Sequence, residues 1–159
     1  SGIHSGESLQ DVFENAASEC KKFGLSCLHV IGGKAAIDTE ALPVRVERYG
    51  HLPPQTISKV LTSCRMAYTA YSPTHFGKSS FMAAFTAHGL AVITQGNTKC
   101  LPDGLEHGVN MLNERMLESD YPADFIEQIG NAARNWYEPH SIASTATSYA
   151  TDIRAGVTK

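Results

Sequence analysis

The residues of this 159-residue chain best placed to do chemistry are Gly77-Lys78-Ser79-Ser80. Gly77 lets backbone approach a ligand closely, and Lys78 adds a positive charge. Ser79 or Ser80 can cap a helix whose unpaired N–H groups favour an anion. Together they suit a phosphate. A P-loop would need glycine five residues before Gly77, but Ser72 stands there. Pro73-Thr74-His75-Phe76 then fills the loop where flexible amides should wrap phosphate, so the P-loop reading fails on spacing.

The elements that must hold this loop are legible on both sides of it. Arg65 to Tyr71 reads as a strand that feeds a loop opening at Pro73. The following helix runs from Ser79 to His88, with Phe81 and Phe85 one turn apart and Ala83, Ala84 and Ala87 as a close-packing surface. Gly89 stops it, and Ala91 to Thr94 is the next strand. This is a β-loop-α-β unit, and the helix composition predicts tight contact with a sheet.

Upstream, Ser8 or Asp11 starts an amphipathic helix with Leu9, Val12, Phe13 and Ala16 on one face, closed by Lys21, Lys22 and Gly24. Leu25 to Ile31 is an apolar strand ended by Gly32-Gly33; its His29 reads as a satisfied core histidine, because a parallel strand is covered on both faces. A connector, 34–43, leads to Val44-Arg45-Val46-Glu47-Arg48, whose period-two alternation predicts a short half-exposed strand near a sheet edge. Gly50 to Pro54 is a loop. Gln55 to Ser63 is a helix with Ile57, Val60 and Leu61 inward.

Downstream, residues 95–104 are rich in turn formers, and Gly108 to Leu112 reads as a last short strand. Pro122 opens a helix carrying Phe125, Ile126, Ile129 and Ala132 or Ala133 at helical spacing, and Pro139 breaks it. A polar segment, Ser141 to Ile153, closes the chain and is expected to fray when alone. The alternation implies a single Rossmann-like α/β domain, a mainly parallel sheet flanked by helices. In such a domain the first helix follows a strand. Ser1 to Gly6 is too short for a strand and its turn, so the first strand is expected to be truncated and the chain to be a fragment of a longer enzyme.

The hydrophobic share of 42% and charged share of 18% are those of a globular chain, and no apolar run nears the roughly 20 residues that cross a bilayer. No transmembrane segment is expected. With net charge −3 and dispersed Lys and Arg, non-specific nucleic-acid binding is not expected either. Cys20, Cys27, Cys64 and Cys100 form no Cys-x-x-Cys pair and read as reduced thiols of a cytoplasmic protein. The histidines form no close ligand pair, so no metal is expected.

Ser72-Pro73, Gly77-Lys78-Ser79-Ser80 and Ala87-His88-Gly89-Leu90-Ala91-Val92, together with Tyr49-Gly50-His51-Leu52-Pro53-Pro54 upstream, follow one another in an order that resembles a known family. The resemblance is to the C-terminal, donor-binding domain of GT-B-fold glycosyltransferases of the glycogen-synthase-like group, and covers about residues 40–112. It implies transfer of a sugar from a nucleotide-diphosphate sugar, used as substrate with no cofactor, to an acceptor held by an N-terminal domain. Gly77, Lys78, Ser79 and Ser80 would hold the diphosphate. His51 and Leu52 would lie near the base, and Thr74, His75 and Phe76 near the ribose or sugar. The resemblance assigns no catalytic residue, and the isolated domain is expected to be inactive. Phe76 and Ala84 occupy the places where many members carry a glutamate pair, which motivates the alternative of a nucleotide-binding regulatory or interaction module without transferase activity.

Overall fold

The structure is a computed structural model that describes residues 8–33, 37–71, 76, 79–95, 101–118 and 120–156. Helix α1, Leu9–Lys22, begins at Ser8, whose Oγ accepts from the Asp11 amide while the Asp11 carboxylate accepts from the Ser8 amide. That reciprocal cap satisfies two N–H groups a helix start leaves open. Gly24, at φ +66°, turns the chain into strand β1, Cys27–Ile31. Strand β2, Arg45–Tyr49, pairs with β1 in parallel, Cys27 opposite Arg45 and Ile31 opposite Tyr49.

Helix α2, Pro54–Ser63, starts with proline in its first turn, where a missing N–H costs nothing. Strand β3, Met66–Thr69, leads through the loop to helix α3, Ser80–Ala87, and on to strand β4, Ala91–Thr94. The predicted last strand at 108–112 begins later: strand β5 is Leu112–Asn113. Asn110 decides this. Its buried side chain accepts from the Glu106 amide and donates to the Gly104 carbonyl, folding the preceding residues into a tight loop that leaves Val109 exposed. Helix α4, Phe125–Tyr137, and helix α5, Ile142–Arg154, follow, with a 3-10 turn at Pro139 between them.

All paired strands are parallel, in a sheet of order β1-β2 and another of order β3-β4-β5. The second sheet is covered on both faces. On one, Ala67, Val92 and Met111 pack with Leu61, Phe76 and Met82; on the other, Ala91, Ile93 and Leu112 pack with Ile126 and Ile129, joined by Phe23, Met66 and Phe125. This is the mixed α/β, parallel-strand arrangement of a Rossmann-like domain, as the alternation of elements predicts. Among the described residues no helix is long and apolar enough to cross a membrane.

The expected packing of α3 needs correction. Met82 and Thr86 are its buried residues, while Phe81 is 69% exposed. Packing sets this face: Met82 enters the cluster of Leu61, Val92 and Met111, and position 86, one turn on, follows it inward while position 81 faces away.

Candidate functional site

In parallel sheets ligands collect outside the carboxyl ends of the strands, at the point where strand order reverses. Here the described strands form two parallel sheets, β1-β2 and β3-β4-β5, and the central loop leaves from the carboxyl end of β3 in the second. The rim beyond β3, β4 and β5 is polar and hydrogen-bonded. Thr69 Oγ1 accepts from the Tyr71 amide at 3.1 Å, and Thr94 Oγ1 donates to the Tyr71 carbonyl at 3.2 Å. The ends of β3 and β4 therefore hold the start of the central loop in place. At the end of β5, the Asn113 amide donates to His107 Nδ1 at 2.8 Å, and Tyr68 donates to Glu114 at 2.5 Å.

Of the residues singled out from the sequence, Thr74, His75, Gly77 and Lys78 lie outside the described residues. Ser79, not Ser80, is the helix cap; Ser80 is exposed in the first turn. The Ser79 amide donates to the Phe76 carbonyl at 3.0 Å, so these two residues are joined. Phe76 itself is only 3% exposed, packed among Leu61, Met82 and Leu90. Its ring anchors the loop in the core and presents no face to a ribose or sugar. His51 is exposed and Leu52 half-exposed after β2, and among the described residues no hydrogen bond joins them to Phe76, Ser79 or Ser80. The chain between β1 and β2 leaves the rim through Gly32 and Gly33, at φ +82° and +71°, where a side chain would be strained even though the space is open.

A second polar constellation escapes a search for close ligand pairs. Donor atoms of Cys27, His29 and Glu47 lie within 4.8 Å of one another on β1 and β2. These are zinc-ligand types. The group is already served from within the sheet, however. Tyr49 donates to Glu47 at 2.6 Å and lies 3.1 Å from His29 Nδ1, and Arg45 pairs with Glu47 at 2.7 Å. The Tyr49 hydrogen bond, with the positive charge of Arg45 and of His29 behind it, holds the Glu47 carboxyl below its usual range; the same bond holds the Tyr49 phenol above its own. The sequence signal is Cys-x-His on a strand, which puts both side chains on one face; only the β1–β2 register brings Glu47 opposite His29.

Cys20, Cys27 and Cys64 are free thiols. Burial first, then the neighbouring Cys27, Cys64 and Glu19, pushes Cys20 up to about 11, so it is an inert core thiol rather than a nucleophile. Compared with protein families, with curated proteins and with solved structures, the chain matches none.

Proposed function

We propose that this chain is the donor-binding domain of a GT-B-fold glycosyltransferase, holding a nucleotide-diphosphate sugar at the carboxyl rim of its sheet. The observation that carries the reading is the hydrogen-bonded carboxyl rim of β3 and β4, where Thr69 and Thr94 hold Tyr71 on the way to buried Phe76 and the Ser79 cap. The diphosphate lies against Gly77, Lys78, Ser79 and Ser80. Its charge is also the leaving group's charge, and fixed donors aimed at that charge are a large catalytic contribution in group transfer. His51 and Leu52 stand toward the base, Thr74 and His75 toward the ribose or sugar.

Helix α5 supports a facing domain for the acceptor. Every residue of it is exposed, Ile142, Tyr149 and Ile153 among them at 87%, 66% and 76%. Large apolar side chains gathered on one helix suit a protein contact. Free thiols suit a reducing, cytoplasmic setting. A second reading, a nucleotide-binding regulatory module without transferase activity, is favoured by Phe76: where many members of the resembling family carry a glutamate, this chain turns an aromatic ring into its core.

Lys78→Met tests the site. One helix terminus contributes only about half an elementary charge against a diphosphate, so a lysine must share the load. Removing it should weaken a nucleoside diphosphate about tenfold to hundredfold, the worth of one charge-assisted contact, and leave the bare nucleoside nearly unchanged. Calorimetric titration of both ligands at one salt concentration reads the difference. Equal losses, or none, would remove Lys78 from the phosphate. Turnover of any nucleotide sugar by the chain alone would overturn the need for a facing domain.

A further inference from the structure

The cluster of Cys27, His29 and Glu47 stands on one face of the β1–β2 pair. Cys27 and His29 are two residues apart on β1, and the parallel register sets Glu47 opposite His29. Solvent reaches all three, since each is half-exposed. Their spacing is that of a coordination shell. His29 Nδ1 lies 3.4 Å from Glu47 Oε2. Nitrogen and oxygen ligands about 2.0 to 2.1 Å from a tetrahedral zinc stand about 3.3 Å apart, so this pair already has the separation that one ion requires. A sulfur bound at about 2.3 Å belongs about 3.6 Å from each of the other two. The Cys27 sulfur lies within 4.8 Å of them, which leaves about 1.2 Å at most to close, within reach of a shift in its χ1 torsion.

The hydrogen bonds within the cluster leave these donor atoms usable. Arg45 engages Oε1 of Glu47, and Tyr49 donates to Oε2. A carboxylate oxygen carries two lone pairs, so Oε2 keeps one for an ion while Arg45 and Tyr49 fix the orientation of the group. Outer contacts of this kind aim metal ligands and raise affinity. His29 Nδ1 faces the Tyr49 hydroxyl at 3.1 Å; ligation through Nδ1 leaves the single ring proton on Nε2. Cys27 is a free thiol, and its proton passes to solvent when the sulfur binds the ion as thiolate.

We infer that Cys27, His29 and Glu47 form a zinc site that ties β1 to β2, with water as the fourth ligand. The donor set selects the ion. Thiolate with imidazole suits a borderline-soft metal, whereas magnesium and calcium take oxygen ligands. Three protein ligands on a face open to solvent leave the fourth position to water, as in zinc sites that are not closed by a fourth side chain. Because the ligands come from both strands, the ion adds a cross-link to a two-stranded pair that β1 and β2 otherwise hold through backbone hydrogen bonds and the Glu47 network. The inference stands on the register of β1 and β2 and is independent of what binds at the loop before α3.

Metal titration of the whole chain, reduced and stripped with a chelator, tests the site: Zn2+ followed by calorimetry, and Co2+ followed by absorption as a coloured stand-in. One ion should bind per chain, with about one proton released and a tetrahedral cobalt spectrum that includes a thiolate band. Cys27→Ser should abolish that band. Cys27→Ser, His29→Gln and Glu47→Gln should each weaken Zn2+ on the order of tenfold or more, and Zn2+ should raise the thermal midpoint of the unaltered chain but not of Cys27→Ser. Arg45→Met keeps every ligand, so it should retain the cobalt band while losing affinity. Absence of binding, an octahedral cobalt spectrum, or a thiolate band that survives Cys27→Ser would overturn the site, the last by assigning the sulfur to another cysteine. If circular dichroism shows Cys27→Ser unfolded, Glu47→Gln on the other strand decides: unchanged Zn2+ affinity there would overturn the inference equally.

Discussion

β4 and β1 are both short, parallel and mainly apolar, yet all of β4 is buried and all of β1 is half-exposed. The difference lies in their neighbours. β4 has a strand on each side, α4 against one face and α3 close by, whereas among the described residues β1 pairs on one side only. Where covering is complete, three of the four side chains are plain hydrocarbon, Ala91, Val92 and Ile93, each 0% exposed, and the fourth, Thr94, also 0% exposed, donates its hydroxyl to the Tyr71 carbonyl. Where it is incomplete, the sheet carries a polar network instead, with His29, Glu47 and Tyr49 bonded across β1 and β2. Apolar strands alone therefore do not define the core of this domain; strand position does.

The largest test of that contrast is a matched pair of substitutions. Ile93→Ala removes a fully buried side chain and should cost about 2 to 5 kcal/mol in denaturant unfolding. Ile31→Ala, the same chemical change on the half-exposed strand, should cost about 1 to 2 kcal/mol. Equal costs would break the comparison.

Gly130→Ala sharpens the account of β4. A β-carbon at position 130 would overlap the Gly89 carbonyl oxygen, which is backbone and cannot swing aside, and would also crowd the Ala91 amide. Helix α4 must shift away from the start of β4, at about 1 to 3 kcal/mol of stability. A neutral result, read from the urea midpoint, would mean that α4 does not lie that close to the sheet.

The smallest effect belongs to β2. Glu47 has a lowered pKa in the folded state, so its network contributes above the unfolded carboxylate value of about 4.3 and the contribution is lost as pH falls through the lower folded value. Tyr49 is raised, so its share is present below about 10 and lost as pH rises through the higher folded value. Tyr49→Phe should remove the Tyr49 dependence and weaken that of Glu47. Because solvent screens a pair on an open strand, the stability change at neutral pH should be the smallest of the three. Titration of the Glu47 carboxyl by NMR should show its pKa moving up in the variant; an unchanged value would mean that Arg45 and His29 hold it down without Tyr49.

Residue type and spacing made the helices and most strands legible, because caps and breakers are local. Ser8 with Asp11, Gly24, Pro54 and Gly89 act within a few residues of themselves. Periodicity read β2 as a half-exposed edge strand for the same reason. The misjudged face of α3 was set by packing: the helix is apolar nearly all round, so its sequence does not say that Met82 meets Leu61 and Val92 while Phe81 stays outside. The late start of β5 depended on Asn110 choosing Glu106 and Gly104 as partners in place of a neighbouring strand.

At the candidate site the division is similar. Gly77, Lys78 and the paired serines announce an anion by their chemistry, which is carried by the side chains themselves. That Phe76 serves the core, that Glu47 meets His29 and Cys27, and that β3 pairs with β4 while β1 pairs with β2 are matters of register and pairing between segments distant in sequence. Local conformation and the kinds of group available follow from residue order, because they depend on neighbours along the chain. Which groups are buried and which strands pair follow from the folded arrangement, because burial and hydrogen-bond pairing are settled between elements far apart in sequence.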